Sequence, residues 1–194
     1  MTAYVVDDHP TMRNAIARIV KKILPDSKVV EATTLQDLLL KISTYGTPKL
    51  ITLDLKLPDA HGVSGVRQVK NNFPNTPLAV ISASPTDDML DHCMKAGADA
   101  YIEKSIELPE MRAQLSTLMN LENSEDSAST SKPSKQQAKI LELLCQQKSN
   151  ADIAEALNIT VGGVKIHMYR LYKKIGVKNR AEAVDYAITN GLDH

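Results

Sequence analysis

Three carboxylates, a hydroxyl and an ammonium hold comparable places in this sequence, each at the close of a short apolar run. Ala3-Tyr4-Val5-Val6 leads into Asp7 and Asp8, and Leu50-Ile51-Thr52-Leu53 leads into Asp54. Leu78-Ala79-Val80-Ile81 leads into Ser82, and Ala100-Tyr101-Ile102 is followed one residue later by Lys104. Runs of this kind, closed by loop residues such as Pro58, Asp59 and Gly62, predict buried strands. Ligands of open parallel sheets bind beyond the carboxyl ends of the strands. With the first and third strands as neighbours, Asp7, Asp8 and Asp54 meet in one crevice. Ionised carboxylates at close range raise one another's pKa unless they are compensated. Mg²⁺ suits them, because it takes one or two carboxylates together with water or phosphate oxygens. Three acids, one divalent cation and Lys104 then sum to zero charge. Such a site suits capture of a phosphoryl group on one carboxylate, balanced by metal and lysine.

Taken singly, these signals are weak. An Asp pair is most often a solvated turn, a strand closing in Asp is commonly a strand entering a loop, and a lone lysine means nothing. Their weight comes from order, because they fall at the ends of successive α/β units.

Those units can be traced through residues 1–121. Pro10 suits a first helical position, and Met12, Ile16, Ile19, Val20 and Ile23 follow at helical spacing. Lys28 to Ala32 reads as a second strand, and Thr33 or Thr34 caps a helix carrying Leu35, Leu38, Leu39 and Ile42. After the Asp54 strand, a helix from about Gly62 to Asn72 presents Val63, Val66 and Val69. Thr86 caps a helix with Met89, Leu90, Cys93 and Met94. Leu108, Met111, Leu115 and Leu118 mark a fifth helix. Five βα units with continuous apolar strands predict an α/β doubly wound, five-stranded parallel sheet. Residues 122–133 hold one aliphatic side chain, Ala128, and so predict a flexible linker with a reach on the order of 20 Å.

Residues 134–194 read as purely helical: an all-α four-helix, helix-turn-helix domain. Ile140, Leu143 and Leu144 mark its first helix, and Ile153, Ala154 and Leu157 its second. The turn Asn158-Ile159-Thr160 leads to a third helix, with Thr160 as N-cap. Val164, Met168, Leu171 and Ile175 form that helix's buried stripe, and Gly176 ends it. Lys165, His167, Tyr169, Arg170, Lys173 and Lys174 fall on the other side. Ala183, Val184, Ala187 and Ile188 carry the fourth helix. Charge on an outer helix face is commonly mere solvation. A basic face on the second helix of a helix-turn-helix unit, however, is the element that enters a DNA major groove.

The chain of 194 residues has no net charge, which hides an asymmetry. Residues 1–120 hold 13 Lys/Arg against 14 Asp/Glu, and residues 133–194 hold nine against six. A mildly basic tail permits nucleic-acid binding without requiring it. Cys93 and Cys145 lack metal-ligand spacing, and no secretory signal or membrane span is visible, so a reducing cytoplasm is expected.

The residues Asp7-Asp8, DLKLPDAHG at 54–62, Ser82-Ala83 and Tyr101-Ile102-Glu103-Lys104 resemble the receiver domain of two-component response regulators. The resemblance implies Asp54 as phosphoacceptor. It implies a Mg²⁺ site of Asp7, Asp8, Asp54 and the Lys56 backbone carbonyl. It further implies Ser82 and Tyr101 as switch residues and Lys104 as the phosphate-binding lysine. Ser105 stands where many receivers carry proline. ADIAEALNIT and VKIHMYRLYKKIGVKNRAEAV resemble LuxR-type DNA-binding domains, and the pairing points to the NarL/FixJ class. There are two departures. PSKQQAKIL replaces the usual polar opening of the first helix, and Val161-Gly162-Gly163 opens the recognition helix. Each glycine costs roughly 0.5–1 kcal/mol of helix stability, and close approach to a DNA phosphate is the expected reason for them.

The expected function is a phosphorylation-switched transcription factor, not an enzyme. Its expected partners are a sensor histidine kinase, double-stranded DNA and, once phosphorylated, a second copy of itself. DNA contacts are expected from Gly162, Gly163, Lys165, His167, Tyr169, Arg170, Lys173 and Lys174, with packing against the second helix an equal reading for His167. Two alternatives stand beside it. A phosphoaspartyl phosphatase wants an acid two positions after the nucleophile, where Lys56 sits. A protein-interaction adaptor would use the helical domain without DNA.

Overall fold

A computed structural model of the chain describes residues 1–83, 87–125 and 133–192. They form two units, Met1–Met119 and Asn120–His194. In the first, β1 (Thr2–Val6), α1 (Pro10–Ile23), β2 (Lys28–Ala32), α2 (Leu35–Tyr45) and β3 (Pro48–Asp54) come in turn. A short antiparallel pair follows, β4 (Lys56–Leu57) with β5 (Ala60–His61). Then come α3 (Val63–Asn72), β6 (Leu78–Ser82), α4 (Asp87–Lys95), β7 (Ala100–Glu103) and α5 (Leu108–Glu125).

The main sheet runs β2-β1-β3-β6-β7, with every pair parallel. All residues of β1 and β6 are buried, as a sheet covered on both faces requires. Tyr4 lies within this core, and its hydroxyl donates to the Gly46 carbonyl at 2.6 Å. The α1 helix starts at Pro10 and buries Ile16, Ile19 and Val20, the spacing expected of an amphipathic helix. The expected cap at Thr86 lies outside the described residues. The α5 helix runs on to Glu125, past Glu122 where the linker is expected to begin. Helix propagation adds one backbone bond per residue ordered, so a polar sequence does not by itself stop a helix already nucleated.

The loop after β3 is more ordered than its sequence suggests. The β4–β5 pair closes it, and Gly62 N–H donates to the Leu55 carbonyl at 2.9 Å. Asp59, at its tip, accepts from Leu35 N–H at 2.9 Å and Gln36 N–H at 2.8 Å. These are the first two free amides of α2. Thr34 Oγ1 accepts the next, from Asp37, at 3.0 Å. The loop is thereby fastened to a helix N-terminus, where a carboxylate is also favoured by the dipole.

The second unit comprises α6 (Lys135–Cys145), α7 (Asn150–Leu157), α8 (Val161–Ile175) and α9 (Arg180–Thr189). Its core gathers Ile140, Leu144, Ile153, Val164, Leu171 and Ala183. The unusual opening of α6 supplies its own cap, a reciprocal pair between Ser134 and Gln137. Ser149 and Asp152 repeat the device on α7. Asn158, left-handed at φ 51°, turns the chain between α7 and α8. Thr160 then caps α8, and Gly176, at φ 76°, ends it.

Candidate functional site

The ladder register assembles the first site. Val6 of β1 lies opposite Leu53 of β3, so Asp7 and Asp54 leave the sheet side by side. Asp54 lies opposite Ile81, and Ser82 opposite Glu103. Ser82 and Lys104 therefore follow one step further along the same edge. Asp7 is 1% exposed and Asp54 4%. Ligand atoms of Asp7, Asp8, His9 and Asp54 all fall within 4.8 Å of one another.

Lys104 Nζ lies 2.6 Å from Asp54 Oδ2 and 2.8 Å from Asp7 Oδ2. Burial alone depresses the lysine, but its hydrogen bond to Asp54 and the charges of Asp54 and Asp7 outweigh burial and raise its pKa. It therefore stays protonated as the counter-charge of the pair. Lys56 N–H donates to Asp54 Oδ1 at 3.2 Å. Arg13 Nη1 donates to the Asp7 carbonyl at 2.8 Å, while its Nε holds Glu31 Oε2 at 3.1 Å. That clamp fixes the turn that presents the acids. Burial pushes the Tyr101 hydroxyl up, opposed by its hydrogen bond with Ser82. Ser82 and Tyr101 are thus linked across neighbouring strands.

The donor set fits a divalent cation. Asp7 Oδ2 and Asp8 Oδ1 are shielded from solvent and lack an aligned hydrogen-bond donor. Asp7 Oδ2 has the Lys104 ammonium at 2.8 Å, but not in hydrogen-bond alignment. Buried carboxylate oxygens left so are costly, and a hard cation on oxygen ligands removes that cost.

The second site is only partly as expected. On α8, Lys165 and Lys173 are exposed, while Gly162, Tyr169 and Lys174 are half-buried. His167 is 3% exposed and Arg170 8%, so neither lies on an open outer face. Burial lowers the His167 pKa. Gly163 is buried and its N–H donates to Thr160 Oγ1 at 3.0 Å, which leaves that amide unavailable to a phosphate. Three residues of the first site escape sequence reasoning: Arg13, Asp59 and His9. Only His9 carries a signal, as the third donor in a row in Asp7-Asp8-His9.

Residues 3–116 match the response regulator receiver domain, and the chain belongs to the response regulators. Residues 133–187 match the bacterial regulatory proteins of the luxR family. The pairing is that of the NarL/FixJ class, two-component response regulators acting as transcription factors. The response regulator protein VraR of Staphylococcus saprophyticus is 27% identical to this chain, over 96% of each. Among solved structures, a CheY-like receiver domain protein of Methanospirillum hungatei superposes with TM-score 0.56 at 22% identity, over 64% of this chain and 97% of that one. RcsB of Salmonella enterica serovar Typhimurium, bound to promoter rprA in the presence of phosphomimetic BeF3−, superposes with TM-score 0.52 at 18% identity, over 96% and 97%. No helix among the described residues is long and apolar enough to cross a membrane.

Proposed function

We propose that Asp54 accepts a phosphoryl group from the phosphohistidine of a sensor kinase, and that the modified receiver changes DNA binding by α8. The observation that carries this is the Asp54 carboxylate at a strand end, with Lys104 Nζ 2.6 Å from Oδ2. An Asp54 oxygen attacks phosphorus, the P–O bond forms and the P–N bond to the histidine breaks. The imidazole leaves with the electron pair. Lys104 balances charge on the phosphoryl oxygens, and Lys56 N–H orients the carboxylate. Asp7, Asp8, Asp54 and the Lys56 carbonyl are the residues that would hold Mg²⁺, whose part when bound is to offset the charge of acids and phosphate. Ser82 is placed to donate to a phosphoryl oxygen, and the Tyr101 hydroxyl follows Ser82 through their hydrogen bond. That coupling is the two-state element any such switch needs.

The output is DNA binding by the α7–α8 helix-turn-helix, with Lys165 and Lys173 on phosphates. A phosphorylation-driven homodimer would occupy half-sites roughly 10 bp apart or multiples of that. The phosphatase alternative still finds a lysine at position 56, and a LuxR-type domain argues against an adaptor that ignores DNA. Incubation with acetyl phosphate and Mg²⁺, followed by intact-mass measurement, tests the acceptor. The wild-type protein takes one phosphoryl group and Asp54→Asn takes none. Equal labelling of both would place the acceptor elsewhere.

A further inference from the structure

We propose that Asp59 is a positioning residue for phosphoryl transfer: by binding the N-terminus of α2 it holds the loop that orients Asp54. The inference rests on the reading of Asp54 as acceptor and adds the element that governs its reactivity. Pro58 and Asp59 are the two-residue tip of a hairpin in which Lys56 pairs with His61 and Leu57 with Ala60. The base of the same hairpin carries Lys56, whose N–H donates to Asp54 Oδ1 at 3.2 Å. Gly62 N–H closes that base on the Leu55 carbonyl at 2.9 Å. Tip and acceptor thus belong to one small unit.

A two-stranded hairpin of this size is marginal by itself. Burial of Leu57 and Ala60 fastens its middle. At its tip, Asp59 Oδ1 accepts from Leu35 N–H at 2.9 Å and Oδ2 from Gln36 N–H at 2.8 Å. Each carboxylate oxygen takes one amide, so the side chain is fixed in direction as well as place. The anchor is firm, because Leu35 is itself 2% exposed, and a negative acceptor is favoured there by the helix dipole. Among the first-turn amides that lack an intrahelical partner, that of Asp37 goes to Thr34 Oγ1 at 3.0 Å. The helix therefore has a cap of its own beside the one that Asp59 supplies.

Capping alone is the plainer role for Asp59, and it would concern only α2. Thr34 separates the two roles. Both residues accept from the first turn of the same helix, but only Asp59 also belongs to the loop. Loss of either cap weakens α2 to a similar degree, whereas only loss of Asp59 lets Lys56 N–H drift from Asp54. Misplacing a reacting group by about 1 Å costs on the order of a hundredfold in rate.

The test compares full-length wild type, Asp59→Ala, Thr34→Ala and Asp54→Asn under saturating acetyl phosphate and Mg²⁺, with labelling followed in time by intact mass. Asp59→Ala is expected to label about tenfold more slowly than wild type or worse, the scale of losses when an orienting neighbour is removed. Thr34→Ala should keep the wild-type rate. Hydrogen exchange on the unlabelled proteins gives a second readout that a cap confined to α2 would not move. The amides of Lys56 and Gly62 should exchange faster in Asp59→Ala and at the wild-type rate in Thr34→Ala. Equal labelling rates in wild type and Asp59→Ala, or equal slowing in both cap variants, overturn the assignment and leave Asp54 as acceptor. Unchanged exchange at Lys56 in Asp59→Ala does the same. Labelling that persists in Asp54→Asn removes the acceptor, and the positioning role of Asp59 with it.

Discussion

The carboxyl edge of the five-stranded sheet and the outer side of α8 both carry charged residues, yet different physics positions them. At the sheet edge the hydrogen-bonded ladder does the work. Once Val6 faces Leu53 and Ile81 faces Asp54, the residues that follow have no choice but to converge. On α8 the helical period assigns each side chain an angle, and nothing in that period says what will cover it. Lys165 and Lys173 are exposed, while His167 and Arg170 are buried. Register thus carries more information about a site than periodicity does. Losses from substitution should follow the same division.

The largest effect is expected at Lys104. Replacement by alanine leaves Asp7 and Asp54 buried without their ammonium. Breaking a buried pair in this way costs roughly 3 kcal/mol or more. Thermal unfolding should show the loss, with partial recovery when Mg²⁺ is added. A variant as stable as wild type would deny that the edge is an electrostatic unit.

The two kinds of residue on α8 should separate next. Lys165→Ala and Lys173→Ala should each lower the slope of log affinity against log salt by about one, with stability unchanged. Arg170→Ala should instead destabilise, by about 1–3 kcal/mol. If Arg170→Ala behaved like the lysine variants, burial would be the wrong guide to α8.

Here the limits of legibility have physical causes. Asp7, Asp8, Asp54, Ser82 and Lys104 can all be found from where apolar runs end, because a strand exit is a local event. The five strands of the parallel sheet follow from the same runs. Asp59 cannot be found that way, since its partners Leu35 and Gln36 lie more than twenty positions earlier. The β4–β5 pair is too short to leave a pattern, and the extension of α5 to Glu125 runs through residues with no apolar period. The spacing puts Arg170 on the outer side and leaves His167 between DNA contact and packing, because a buried stripe defines one side and leaves the rest unassigned, whereas both are buried.

Asp59→Ala comes third. Removing the acceptor of two helix-terminal amides should cost about 1 kcal/mol and speed hydrogen exchange at Leu35 and Gln36 above all other amides of α2. Protection unchanged at those two would show that the loop stands without its anchor.

The smallest effect concerns His167. Burial holds its pKa below the ordinary 6.5, so the unfolded chain takes up the proton more readily than the folded one. Stability should therefore fall as pH drops through about 6.5 and level off below the folded value. His167→Gln should flatten that fall, and an equally steep fall in the variant would assign it to other groups.

The central claim is that phosphate on Asp54 alters what α8 does. Its most direct measurement is the affinity of the full-length protein for duplex DNA before and after treatment with acetyl phosphate, with Asp54→Asn alongside. The wild-type isotherm should shift on treatment while that of Asp54→Asn stays where it was. A wild-type isotherm that does not move, or a variant that moves with it, would contradict the account.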